Sequence, residues 1–383
     1  MSIYLDHNAT TPIDPVVLDA MLPYLRDYYG NPASVYSHGR KTREAVEQAR
    51  EQVASLVKVH PRQVIFTSGG TESNNMAIKG IAPGKGRNAI AISEIEHTSV
   101  IAPAQAMQGM GWQLDLIKTD DAGYISADAV ADVMDDGTVL VSVMMANNET
   151  GVVQDVKGIS AILRTHDVIL HTDAVQAAGK IPVDFASTGA HMMSLSAHKF
   201  YGPKGVGALI VDRSLDLKPL INGIGHEMGM RGGTENVAGI VGFGKAAELA
   251  AVNLEEHTNQ LLDLRHRLES GLQQISGVKI VAEHSQRLAN TICILAEGIE
   301  GETLLMNLDR SDIAVSSGSA CASGSTNPSH VLMAMGIDRE LARCAIRISL
   351  GKDNTGADVD IFLDHLRQEL GNLQGLELQA WAS

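Results

Sequence analysis

Residues 168–211 read VILHTDAVQAAGKIPVDFASTGAHMMSLSAHKFYGPKGVGALIV, and their punctuation decides the fold class. Three short apolar runs, Val168–Thr172, Met192–Ser196 and Gly205–Val211, read as strands. The first two end in polar clusters, His171-Thr-Asp-Ala-Val-Gln176 and Ser196-Ala-His-Lys199. The link from Lys199 to Gly205 is too short for a parallel crossover and carries Gly202-Pro203, so the second and third runs pair antiparallel. The expected sheet is therefore mostly parallel with one reversed strand.

Working outward, the same alternation covers residues from about 40 to 250. Gln63–Thr67, Asn88–Ser93, Gln113–Ile117 and Val139–Met145 read as strands. Ser73–Ile81, Ser99–Gln108, Ser126–Met134 and Ile159–His166 read as helices between them, the signature of a layered α/β domain. Near Ala238 the pattern changes. Leu261, Leu264, Leu268, Leu272 and Ile275 form one stripe of a long helix spanning Ala246–Ile275, closed by Gly277. Strand-like Val278–Ala282, Ala289–Leu295 and Ala345–Leu350 and helix-like Thr303–Asp309 then describe a smaller α+β domain.

Composition narrows the function. The net charge of −15 argues against a nucleic-acid-binding surface as the primary role. The best apolar run, Thr138–Ala146, is about half of what a membrane-spanning helix needs. The first residues, MSIYLDHNAT, lack the basic and apolar regions of a signal peptide, so a soluble, cytoplasmic protein is expected. Three cysteines are too few and too dispersed for a disulfide framework or a metal site. Cys293 and Cys344 sit in apolar surroundings and read as core. Cys321 lies in Ser316-Ser-Gly-Ser-Ala-Cys-Ala-Ser-Gly-Ser325, where every neighbour is small, so the segment reads as a mobile surface loop. That loop is open between a linker that happens to hold a cysteine and an arm carrying a nucleophilic thiol.

Polar residues of matched chemistry follow the strands, where open α/β sheets place their ligands. Ser68-Gly-Gly-Thr-Glu-Ser-Asn74 can cradle a phosphate on Gly70, the Thr71 hydroxyl and a helix N-terminus, though it reads equally as an ordinary helix start. Asp173 is open between a helix cap and the partner of a cationic ring nitrogen, with Gln176 within reach of the same face. Lys199 suits imine formation with a carbonyl, beside Ser196 and His198 as phosphate contacts; Lys204 is its local rival, in a solvated turn. His97 can stack on a heterocycle and move protons, and an Asn from Asn147-Asn148 can donate to a phenolic oxygen. Together these parts fit one cofactor, pyridoxal 5′-phosphate.

The chain resembles the cysteine desulfurases of the NifS/IscS type. The resemblance rests on Tyr4-Leu-Asp-His-Asn-Ala-Thr-Thr-Pro12, Gly30-Asn-Pro-Ala33, Thr67–Ser73, Glu96-His97, Asn147–Gly151, His171–Gln176, Ser196–Lys199, Gly229-Met-Arg-Gly-Gly-Thr234, Ser316–Cys321 and Ile346–Gly351, in the family's order across nearly the whole chain. It implies a fold-type I (aspartate-aminotransferase-like) homodimer. A large cofactor-binding domain would span residues 15–255. Residues 1–14 and 256–383 would form the small domain carrying the cysteine loop at about 316–328; the stretch to about Pro15 could pack on either. The implied activity converts L-cysteine to L-alanine, leaving sulfur as a persulfide on Cys321. Lys199 would carry the cofactor, Asp173 would pair with its ring nitrogen, Gln176 and Asn148 would contact its phenolic oxygen, and His97 would stack on the ring. Thr71, Ser196 and His198 would hold the phosphate, joined by Thr234 of the neighbouring subunit. Arg347 would clamp the substrate carboxylate, assisted by Asn31. No metal is implied. A protein sulfur acceptor is, and the loop length matches the class that serves varied acceptors. Selenocysteine lyase, another C–S lyase, an aminotransferase and a non-catalytic sulfur-assembly scaffold are the rival readings.

Overall fold

In the computed structural model, described here over residues 2–81, 87–223, 225–317 and 327–381, thirteen strands are present among the described residues. In chain order they are β1 (Ile3–Tyr4), β2 (Val64–Thr67), β3 (Ala89–Ser93), β4 (Gln113–Ile117), β5 (Thr138–Ser142), β6 (Ile169–Asp173), β7 (Met192–Ser196), β8 (Gly207–Val211), β9 (Val278–Ile280), β10 (Thr291–Ala296), β11 (Ile313–Ala314), β12 (Ser316–Ser317) and β13 (Ala345–Ser349). Seven of them form one sheet in the order β2-β8-β7-β6-β5-β3-β4. All its pairings are parallel except those of β8, which runs antiparallel to both β2 and β7. The short link after Lys199 thus reverses one strand, as the sequence implies.

Inside the sheet the strands are largely apolar because both faces are covered, while the edge strand β4 is partly exposed. Along them, side chains alternate between two cores. Phe66, Ala91, Val141, Met193, Leu195, Ala208 and Ile210 join one core with the helices Ser37–Leu56 and Val237–Leu272. Ile65, Ile90, Ile92, Leu140, Met192 and Leu209 join the other with the helices Gly70–Lys79 and Thr98–Gly109. Each fully buried Ile or Leu contributes about 1.5–3 kcal/mol.

A second sheet, β12-β13-β10-β9, is antiparallel and has its own core of Ile292, Ile294, Ile346, Ile348, Leu304, Leu308 and Phe362. The helix Val237–Leu272 serves both cores. Ile240, Phe243 and Ala246 enter the first, and Leu261, Leu264, Leu268 and Leu272 the second. It starts nine residues before the expected Ala246 and stops at Leu272, short of Ile275. Its early glycines are there for contact: a Cβ on Gly244 would lie 2.6 Å from the Ala49 backbone of the neighbouring helix. One window of this helix has a mean hydropathy of 1.4, apolar enough to cross a membrane, yet half of that window is buried inside the fold.

The N-terminal stretch packs on both sheets. β1 pairs parallel with β11, and Asp6 bridges to Ser349. The chain then crosses to the large sheet, where Thr11 and Asp14 donate their N–H groups to the carbonyls of His198 and Tyr201, 3.0 Å each.

Candidate active site

The carboxyl ends of β2, β3, β5, β6 and β7 meet at a cavity of about 250 Å³. It is lined by Gly70, Thr71, His97, Asn148, Asp173, Gln176, Ser196, His198 and Lys199, together with Asn74, Ser99, Met144 and Val175. A parallel sheet brings about this convergence because every parallel strand delivers its next loop to the same edge. A more open groove lined by Lys58, Arg87, Arg164 and His191 lies among residues at the opposite strand ends and shares no residue with it.

Asp173 is the last residue of β6, and its carboxylate is held on both sides. Oδ1 accepts the Val175 N–H at 2.9 Å, and Oδ2 accepts Asn74 Nδ2–H at 2.7 Å. The same amide donates to Ser99 Oγ at 2.8 Å, and that hydroxyl lies 2.7 Å from His97 Nδ1. A chain of hydrogen bonds from the carboxylate to His97 is therefore complete. Burial holds the His97 pKa below its usual value, with Asp173 opposing that shift and Lys199 adding to it. Burial also lowers His198, to about 4, and Lys199, Lys204 and Lys180 add to the effect. Its Nδ1 lies 3.1 Å from Thr10 Oγ1. Lys199 ends a single 3-10 turn, Ala197–Lys199, and donates to the carbonyls of Asn8 and Ala9 at 2.7 and 2.8 Å.

The residues present fit the expected cofactor. Ser196 Oγ is buried without a hydrogen-bond partner, as a hydroxyl reserved for a phosphate would be. Gly69 has φ 151°, which glycine alone adopts readily, and a Cβ on Gly70 would lie 2.8 Å from Val175 Cγ2. Backbone can therefore close in where the helix Gly70–Lys79 presents its first N–H groups.

Other expected residues lie outside this cavity lining. Arg347, in the middle of β13, is buried; its Nη2–H donates to Asp6 Oδ1 at 2.7 Å and its Nη1–H to the Asn148 carbonyl at 3.1 Å. Nε has no partner. Asn31 is exposed, and its side-chain oxygen accepts the Ala33 N–H. Thr234 is exposed too, three residues after Arg231, which pairs with Glu72 at 2.9 Å. Cys321 lies outside the described residues. Cys293 and Cys344 are buried, the former with its thiol pushed up to about 12 by burial.

The sequence reading gave no role to Asp6, Asn8, Asn74, Ser99 or Glu96. Glu96 is fully buried beneath His97, and burial raises its pKa to about 8, so it is largely protonated at neutral pH. Its Oε1 accepts Ser93 Oγ–H at 2.7 Å and the Met144 N–H at 2.6 Å. The adjacent Glu-His pair was the signal available for it.

Comparison with known proteins agrees with this architecture. The class-V aminotransferase family model matches residues 3–362. A relative from Dictyoglomus turgidum named cysteine desulfurase IscS is 42% identical, covering 97% of this chain and 95% of that protein. The solved structure of a NifS-like protein superposes with TM-score 0.91 at 38% identity, over 97% of this chain and 100% of that one. A structure described as SspA in complex with cysteine matches at TM-score 0.81 and 32% identity, over 92% and 100%. The chain belongs to the class-V aminotransferases, as a pyridoxal-phosphate-dependent enzyme of the NifS/IscS cysteine desulfurase type.

Proposed function

We propose that this enzyme takes sulfur from L-cysteine, releases L-alanine and leaves a persulfide on Cys321. The observation that carries the reading is the meeting of Lys199, Asp173 and His97 around one cavity, with Arg347 held by the Asn148 carbonyl at its border. When bound, pyridoxal phosphate supplies an electron sink for charge developing at the substrate Cα. Lys199 would hold the cofactor, Asp173 would pair with its ring nitrogen, and Gln176 and Asn148 would contact its phenolic oxygen. Thr71, Ser196, His198 and the neighbouring subunit's copy of Thr234 would hold the phosphate. Arg347 receives the substrate carboxylate, with Asn31 assisting. Lys199, freed once the substrate amine has taken its place, would then take the Cα proton, and His97, its pKa lowered by burial, would accept and return protons beside it. The Cys321 thiolate attacks the substrate sulfur. As the new S–S bond forms, the C–S pair stays with carbon, and protonation there completes the methyl group of alanine.

Residues 15–255 would form the cofactor-binding unit, and 1–14 with 256–383 the unit that brings substrate clamp and thiol to it. The working form is a homodimer in the cytoplasm. A protein acceptor would collect the sulfur, with iron–sulfur cluster assembly as its destination. Purified protein given L-cysteine should form alanine and a persulfide on Cys321 in equal amounts during a single turnover. Sulfide release without a Cys321 persulfide, or a preference for L-selenocysteine, would overturn the reading in favour of a lyase.

A further inference from the structure

A second lysine, half-buried, stands behind Lys199. Gly179 turns the chain at φ 77°, close against Phe200, where a Cβ would lie 2.8 Å from the phenylalanine Cβ. This places Lys180 beside Lys199, and both line one small void of about 30 Å³. Lys180 Nζ donates to Gln176 Oε1 at 2.7 Å and to Asn8 Oδ1 at 2.8 Å. Among the described residues, no carboxylate lies within ion-pair distance of it. Burial, and after it the charges of Lys199 and Arg347, press its pKa well below the usual lysine value; His7 and His198 feel its charge in turn. An amine buried at such cost between two side-chain amides calls for a reason beyond packing.

Amides supply the reason. The two ends of a Gln or Asn side chain are nearly equal in shape, so their hydrogen-bond partners decide which end faces where. Lys180 gives both contacts as donor, which commits Gln176 Oε1 and Asn8 Oδ1 to it. The Gln176 amino group must then face the other way, and one of its hydrogens goes to the Asn8 carbonyl at 2.9 Å. The second remains for the cavity. On the Asn8 side the pattern closes: Asn290 Nδ2–H donates to the same Oδ1 at 3.0 Å, while Asn8 Nδ2–H donates to Thr291 Oγ1 at 2.8 Å and to the Asn148 carbonyl at 3.1 Å. That carbonyl also receives Arg347.

We infer that Lys180 is a positioning residue for the cofactor: by occupying Gln176 Oε1, alongside the Asn8 carbonyl that takes one amino hydrogen, it holds the Gln176 amino group as the donor presented to the phenolic oxygen. This deepens the site assigned above and rests on Gln176 facing that oxygen. Without Lys180 only the Asn8 carbonyl holds the amide in this orientation, and a turn that presents Oε1 to the cavity would repel a phenolate and favour its protonated form.

The test uses the cofactor-loaded enzyme and follows the visible absorption of the bound cofactor against pH, alongside steady-state kinetics with L-cysteine. Lys180→Met should raise the apparent pKa of that absorption by roughly one unit and lower kcat with KM for L-cysteine little changed. Lys180→Arg, still a donor, should restore most of the shift. Gln176→Ala should shift the absorption as well, and adding Lys180→Met to it should move it no further. Lys180→Gln, able to accept as well as donate, offers a second variant with the same expected direction should the methionine fail to fold. An absorption titration of Lys180→Met or Lys180→Gln that matches the parent enzyme overturns the inference. Additive shifts in the double variant overturn it as well. If Gln176→Ala itself causes no shift, the assignment of Gln176 falls and this inference falls with it.

Discussion

The two sides of the site are built in different ways. On the large-sheet side, Asp173 at the end of β6, Asn74 and Ser99 in the helices that follow β2 and β3, and His97 between β3 and its helix satisfy one another through contacts each no longer than 2.8 Å. On the small-sheet side, Arg347 stands on β13 and takes its charge partner, Asp6, from a position 341 residues earlier in the chain. The first is a property of one sheet edge. The second depends on the N-terminal strap bridging two sheets. Changes on the large-sheet side should therefore damage chemistry, and changes on the small-sheet side should damage substrate capture.

The sharpest break is Lys199→Ala, which should lower alanine formation by roughly 10⁴-fold or more, measured by amino-acid analysis after incubation with L-cysteine. Retained turnover would show that the large-sheet side does not own the chemistry. Cys321→Ser should still change the bound cofactor's spectrum on addition of L-cysteine yet form no persulfide, as read by mass spectrometry of the intact protein. Arg347→Ala should cost roughly 100-fold in kcat/KM, equivalent to about 3 kcal/mol, and the loss should appear mainly in KM. Asp6→Asn keeps an acceptor but removes the charge that holds the guanidinium, so KM should rise by about threefold to tenfold with kcat nearly kept. If it lowers kcat instead, the strap belongs to the chemistry and the contrast fails.

The smallest effect concerns stability. Glu96 has its pKa raised to about 8, so the folded protein holds a proton there that the unfolded chain loses above the ordinary carboxylate range. Its contribution favours the fold at low pH and fades as pH rises towards 8. Buried His171 has the opposite sign. Its pKa is lowered to about 3, so it opposes the fold increasingly as pH falls below the usual histidine value. Glu96→Gln keeps the acceptor for Ser93 and Met144 and should raise Tm by about 2–4 °C at pH 8, with little change near pH 4.5. A Tm that drops equally at both pH values would mean that Glu96 is not held protonated.

The contrast also explains what the sequence could show. Lys199, Asp173, His97 and Ser196 each sit within a few residues of a strand whose apolar run announces it, so local pattern places them. The reversed β8 was readable for the same reason, from a link too short to cross the sheet. Asp6 and Asn8 were not readable as site residues, because their partners Arg347 and Lys180 lie 341 and 172 positions away. The long helix was read late because Gly239, Gly242 and Gly244 suggest a poor helix, whereas tertiary contact with Met21 and Ala49 demands small residues there.

The strap has a consequence for how the molecule is made. Asn8 and Asp6 leave the ribosome among the first residues, yet the Ser349 hydroxyl that receives the Asn8 N–H and the Arg347 that pairs with Asp6 emerge more than three hundred residues later. At typical rates of about 5–20 residues per second, the N-terminal segment waits on the order of tens of seconds for its partners. The Lys199 amine, the Gln176 amide and Lys180 all bond to Asn8, so they wait with it. The contacts that tie the strap to β13 are therefore completed only once β13 has been synthesised, so the site is assembled in full only in a nearly finished chain.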